Sequence, residues 1–174
     1  MTTRTFTPFP TLTTERFTLR QLTINDAQDI FALRSDPDIN KYLGRTPSKT
    51  VEDAINFIHI ITENIQNNES VYWVISLTDN NTFAGTICLF DFSDEHHKCE
   101  IGYELLSKFQ GKGIMQEAAK KVIEYAFQTM KIQTIEAFTH QNNLGSTKLL
   151  EKLEFKKVGE GDGDMCVYRF SNKI

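Results

Sequence analysis

A chain of 174 residues with 40% hydrophobic side chains is long enough for one well-buried core and short for two, so a single unit spanning residues 1–174 is expected. Its formal net charge of −4 and pI near 5.6 speak against a nucleic-acid binder that works by neutralising phosphates. The opening stretch MTTRTFTPFPTL has neither a signal-peptide core nor a membrane-spanning run, and Cys88, Cys99 and Cys166 form no C-x-x-C pair, so a cytoplasmic protein with reduced thiols and no membrane partner is expected.

In chain order, TERFTLRQLT (Thr14 to Thr23) alternates Phe17 and Leu19 with polar neighbours, the period of a half-buried strand. INDAQDIFALRSDP follows as a helix with Asn25 at its N-cap, ending before Pro37. A longer helix starts at Pro47 and Ser48 and carries Val51, Ile55, Ile58, Ile61 and Ile65 on one stripe. VYWVISL and TFAGTICLFDF make a hairpin around TDNN, with Trp73 expected in the core, and KCEIGYELL is the next strand after an EHHK turn. A helix beginning near Met115, a strand QTIEAFTH, a helix NNLGSTKLLEKLEF opened by Asn143, and two strands around a Gly/Asp turn complete the chain. The order β-α-α-β-β-β-α-β-α-β-β predicts an α/β (α+β) fold: a mixed, mostly antiparallel sheet of about seven strands flanked by about four helices.

From the end of the fourth of these strands into the following helix runs LSKFQGKGIMQEAAKK (Leu106 to Lys121). Unpaired backbone N–H groups of residues 111–115 at a helix start, with Gly111 and Gly113 permitting a close approach, suit an anion, and Lys112 adds a cation. A plain chain turn is the other reading of two such glycines. The loop lacks the G-x-x-x-x-G-K-[ST] spacing of a nucleotide-binding P-loop and the third glycine of a dinucleotide fold.

CEIGYELLSKFQGKGIMQEA, followed about twenty residues on by IEAFTHQNNLGSTKLLEKLEF, resembles the GNAT family of acyl-CoA-dependent N-acyltransferases, in its RimJ/RimL-like branch. TERFTLRQLTINDAQDIFALRSDPDINKYL and FAGTICL extend the resemblance over nearly the whole chain. It implies acetyl-CoA as acyl donor, no metal, and a primary amine as acceptor, either a protein N-terminus or a small molecule. Gln110, Gly113 and Met115 then occupy the Q/R-x-x-G-x-G/A positions, with Met115 larger than usual, and the amides of Gly111, Lys112, Gly113, Ile114 and Met115 hold the pyrophosphate. The pantetheine lies along Leu105 and Leu106, where family strands splay apart, and Asn143 of the N-x-x-S element faces it while also serving as a helix cap. Glu154 stands where the branch usually has glycine before the final Phe. Family members occur as monomers and homodimers, so either is implied.

Aminolysis of a thioester needs a neutral amine, a stabilised oxyanion and a proton for the thiolate. Deprotonating a lysine amine at neutral pH costs roughly 4–5 kcal/mol and an α-amine only about 1 kcal/mol. The resemblance implies Glu100 as general base, an outward strand glutamate on a solvated face being the other reading, and Ser146 as the acid, with Tyr103 read as a core aromatic and a lesser candidate. A coenzyme-binding module without turnover, supported by Met115, and a nucleotide-binding protein are the competing readings. His96, His97 and Cys99 lack zinc spacing, and GEGDGD lacks the bidentate Glu of a calcium loop.

Overall fold

In the computed structural model, which describes residues 4–172, the strands are β1 (Leu12–Thr13), β2 (Phe17–Gln21), β3 (Val71–Leu77), β4 (Phe83–Ser93), β5 (Lys98–Leu105), β6 (Thr134–His140), β7 (Lys156–Glu160) and β8 (Met165–Ser171). The helices are α1 (Ala27–Ser35), α2 (Pro37–Asn40), α3 (Val51–Gln66), α4 (Ile114–Gln128) and α5 (Leu144–Lys152). Residues 1–3 and 173–174 of the expected 1–174 unit lie outside the described residues.

The strands form one sheet in the order β1-β2-β3-β4-β5-β6-β8-β7. Every pairing is antiparallel except β5 with β6, so the mixed, mostly antiparallel sheet is found. The two elements beyond expectation are short: β1 is two residues and α2 four, too little chain to carry a period.

Alternation along β3 sends neighbouring aromatics to opposite faces of the sheet. Tyr72 meets Phe57 of α3 edge-on at 5.8 Å between ring centres, and Trp73 meets Tyr125 of α4 at 5.7 Å. Helix α3 therefore covers one face and α4 the other. The expected stripe on α3 holds, with Ile58 and Ile65 buried and Val51, Ile55 and Ile61 packed at the margin of the core. Trp73 is fully buried and its Nε1 donates to Pro10 O at 2.7 Å. Trp73→Ala is expected to cost about 3–5 kcal/mol of folding stability, read by denaturant titration followed by circular dichroism.

Two helix starts differ from expectation. The N-terminus before α1 is organised by Thr23, whose N–H donates to the Asp26 carboxylate at 2.9 Å, through a single 3-10 turn over Ile24–Asp26; Asn25 is not the cap. Asp26 is buried and also accepts from Arg20 at 2.7 and 3.0 Å, which explains why the cap sits there. Helix α3 begins after Thr50, which forms a reciprocal capping box with Asp53, and Pro47 and Ser48 precede it as loop. Glu154 has φ +68, a left-handed conformation that favours glycine, at the turn where Phe155 N–H donates to Leu150 O.

Candidate active site

The parallel contact between β5 and β6 lasts only three residues, Lys98–Glu100 against Thr134–Glu136. Beyond Glu100 the two strands part, while β5 stays paired to β4 as far as Leu105 opposite Gly85. Leu106 N–H donates to Ala84 O on the β4 side, so alternation turns the backbones of Leu105, Tyr103 and Ile101 toward the opened side. Leu105 O there accepts from Gln110 Nε2 at 3.1 Å, which ties the following loop to the strand end. Leu106 is engaged within the chain, its N–H on Ala84 O and its carbonyl on Phe109 N–H, so of the expected pair Leu105 presents its backbone to the opening.

A 3-10 turn over Ser107–Phe109 leads to the glycine loop. Gly111 and Gly113 have φ of +75 and +74, and Gly113 is the N-cap of α4 with no side chain to offer. Glu117 N–H is the first to find a helical acceptor, Gly113 O at 3.2 Å. Among the described residues the N–H groups of 111–116 have no acceptor, so a ready-made anion seat precedes α4. Arg16 secures it from the side, donating to Glu117 at 2.8 Å and to Lys112 O at 3.5 Å. Lys112 is exposed, and the side chains of Ile114 and Met115 are buried in the core. The size of Met115 therefore leaves the seat untouched.

On the far side of the opening, Asn143 caps α5 by accepting Ser146 N–H at 3.3 Å. The hydroxyls of Ser146 and Tyr103 share a hydrogen bond of 2.8 Å. Burial, first, pushes the Tyr103 phenol up to about 12, with the Ser146 contact opposing it. Tyr103 is thus more than core filling: it packs against the core with its hydroxyl at the opened edge.

A cavity of about 460 Å³ runs through the opening. Tyr103, Asn143 and Ser146 line it on the α5 side. Arg34, Arg45, Phe57, Ser70, Tyr72 and Glu104 line it on the α3 side. Tyr42, stacked on His140 at 4.9 Å between ring centres, also lines it, as does His140. Cys88 is a further lining residue, and burial pushes its thiol up to about 12, which leaves it protonated and a poor nucleophile.

Glu100 does not line this cavity, but it shares a sheet face with Gly102 and Glu104, and its β4 partner Phe90 does line it. It stands at the last paired position before the strands part. Burial, and then the hydrogen bond and charge of Asp91 beside it, push its carboxyl up to about 7. Asp91 is placed by the register shift between Phe90 and Ser93. Across the parallel pair, Glu136 accepts from Lys98 at 2.8 Å and Arg169 at 3.1 Å, contacts that hold its carboxyl below the usual range. Two neighbouring carboxyls are thereby pushed apart in acidity, Glu136 by its cationic partners and Glu100 by burial and Asp91.

The arginines were not legible as site residues. Arg45 Nη1 pairs with Glu104, its Nε donates to Asn40 Oδ1 at 2.7 Å, and its Nη2 is buried without an acceptor among the described residues. Ser70 Oγ is likewise buried without a partner. Unsatisfied buried groups cost about 1–3 kcal/mol each, more when charged.

An opened strand edge between the glycine loop and a hydroxyl pair has the parts an acyl-thioester transfer needs: extended backbone polar groups, unpaired N–H groups at one end and hydroxyls at the other. The chain belongs to the GNAT family of N-acetyltransferases, since the acetyltransferase (GNAT) domain model matches residues 16–156. It is 33% identical over 151 residues to the N-acetyltransferase YoaA of Bacillus subtilis, covering 87% of this chain and 85% of that one. It is 41% identical over 63 residues to the ribosomal protein uS5-alanine N-acetyltransferase of Escherichia coli, 36% of this chain and 32% of that one. The solved GNAT-family acetyltransferase of Bacillus anthracis superposes with a TM-score of 0.78 at 25% identity, covering 92% of this chain and 96% of that one.

Proposed function

We propose that this N-acetyltransferase passes an acetyl group from acetyl-CoA directly to a primary amine, with Glu100 as general base and the Ser146–Tyr103 hydroxyl pair as proton source. The observation that carries the reading is the opened β5 edge with an unsatisfied N–H loop at one end and the shared hydroxyl hydrogen bond beside it. The bound donor supplies the thioester. The N–H groups of Gly111, Lys112, Gly113, Ile114 and Met115 take its pyrophosphate, with the Lys112 ammonium adding attraction. Gln110 keeps the loop against Leu105, whose backbone lies beside the pantetheine path with Leu106 turning the chain away. Asn143 fixes the start of α5 so that Ser146 faces the sulfur.

Glu100, acting through water across the edge of the cavity, takes the amine proton as nitrogen bonds to the carbonyl carbon. N–H groups on the opened side, Tyr103 and Leu105, stabilise the developing oxyanion. As the carbon–sulfur bond breaks, the hydroxyl pair returns a proton to sulfur. Cys88, held as a thiol, takes no part as an acyl carrier.

Two acceptor classes are supported. The relative that acts on the alanine of a ribosomal protein favours an N-terminal α-amine, whose low deprotonation cost suits a base near neutrality. The size of the cavity, about 460 Å³ with Tyr42 and His140 in its lining, favours a small amine. Mass spectrometry of products from peptide N-termini and small amines incubated with acetyl-CoA distinguishes them, and acetylation of none refutes the transferase reading. Gly113→Val, which places a β-branched residue at φ +74, is expected to weaken coenzyme A binding by about 5–30-fold, the equivalent of roughly 1–2 kcal/mol of left-handed strain; calorimetric titration checks it.

A further inference from the structure

The acceptor side of the cavity carries a charge pattern that a bare amine does not need. Two arginines, Arg34 and Arg45, line it against one carboxylate, Glu104, in a chain whose net charge is −4. An ammonium substrate would be repelled by that excess unless it brought a negative group of its own.

The guanidinium of Arg45 is held on two sides. Asn40 is buried, donates to Leu33 O and Asp36 O at 3.2 and 2.7 Å, and so presents its Oδ1 rigidly to Arg45 Nε. Glu104 takes Nη1. The remaining Nη2 is buried with no acceptor among the described residues. Arg34 lies over Phe57, its Cζ 3.8 Å from the ring centre, and none of its guanidinium N–H groups meets an acceptor among the described residues. Ser70, more than nine-tenths buried, lines the same cavity with its hydroxyl unpartnered. Buried donors are satisfied as a rule, and here Arg45 and Ser70, which carry the unsatisfied ones, line a cavity of substrate size together with Arg34.

Resting on the transferase reading above, we infer that Arg34 and Arg45 bind an oxyanion carried by the acceptor, so that the substrate is a small amine bearing a carboxylate or a phosphate. Planar guanidinium forks suit either group. The amine then lies toward Glu100, and the anion toward Glu104 and the arginines, further along the same face of β5.

Matched acceptors test this. With acetyl-CoA saturating, kcat/KM is measured for β-alanine, propylamine and diaminopropane, for phosphoethanolamine beside ethanolamine, and for a short peptide with a neutral N-terminal residue. The anionic member of a series is expected to exceed its neutral and cationic counterparts at least tenfold, with the carboxylate and phosphate arms telling which oxyanion is preferred. Arg34→Gln is expected to erase that preference through KM while coenzyme binding is unchanged, and Arg34→Lys to restore it in part. Equal or better use of propylamine, diaminopropane or the neutral peptide overturns the inference and leaves the transferase standing. A preference that survives Arg34→Gln in a folded variant overturns it too, and thiol release with no acceptor removes both readings together.

Discussion

Glu100→Gln is expected to lower kcat by roughly 10²–10³-fold and to change the shape of its pH dependence. In the native chain burial and Asp91 push this carboxyl up to about 7, so the rate rises with pH as the base is unmasked and levels off above that value. The glutamine variant keeps the shape and hydrogen bonding of the side chain but has no proton to exchange, and the limb near 7 disappears. An amine acceptor adds its own ionisation at higher pH, about 7.7–8.0 for an α-amine, which stays in both proteins.

The same shift reads out in stability. A carboxyl whose folded value lies above its ordinary 4.5 binds its proton more tightly in the native state. Its contribution is fully present below about 4.5 and is lost as pH rises through about 7. Denaturant midpoints of wild type are therefore expected to fall, relative to Glu100→Gln, across that window. A base role and a structural role separate here: a merely structural Glu100 moves the midpoints and leaves the pH–rate limb in place.

The second large effect belongs to the hydroxyl pair. On the proposed assignment, Ser146→Ala or Tyr103→Phe alone leaves one of the two hydroxyls, so each is expected to cost about 10-fold in kcat, and the double variant about 10²-fold or more. Coenzyme affinity stays, because neither side chain belongs to the glycine loop. Leaving-group chemistry makes the assignment specific. With an acetyl thioester of a more acidic thiol the departing sulfur needs less help, and the defect of the double variant shrinks; an equal defect with both thioesters would contradict the role of proton source.

The parts of this site that depend on local chain were legible in the sequence. The glycine loop before an amphipathic helix, the Asn143 cap and the apolar stripe of α3 each follow from neighbours within a few residues. Tyr103 was harder, because alternation reads a strand aromatic as core. Half of that is right, since its ring packs inside, but its hydroxyl reaches an edge that exists only because β6 departs after Glu136. Arg34 and Arg45 were hidden for a related reason. Arg34 looks like an ordinary basic residue in the last turn of α1, and Arg45 sits in a loop without pattern. Their meaning comes from Phe57, Asn40 and Glu104, brought together by tertiary packing. Met115, larger than usual at its position and so the support for a coenzyme-binding module without turnover, turns its side chain into the core.

Amine-dependent release of the coenzyme thiol from acetyl-CoA, followed for wild type, Gly113→Val and Glu100→Gln, tests the account most directly. Release that requires an amine, weakens in KM for the coenzyme with Gly113→Val and collapses in kcat with Glu100→Gln is the result expected. Release at the same rate in all three proteins, or coenzyme binding with no release for any amine, would contradict it.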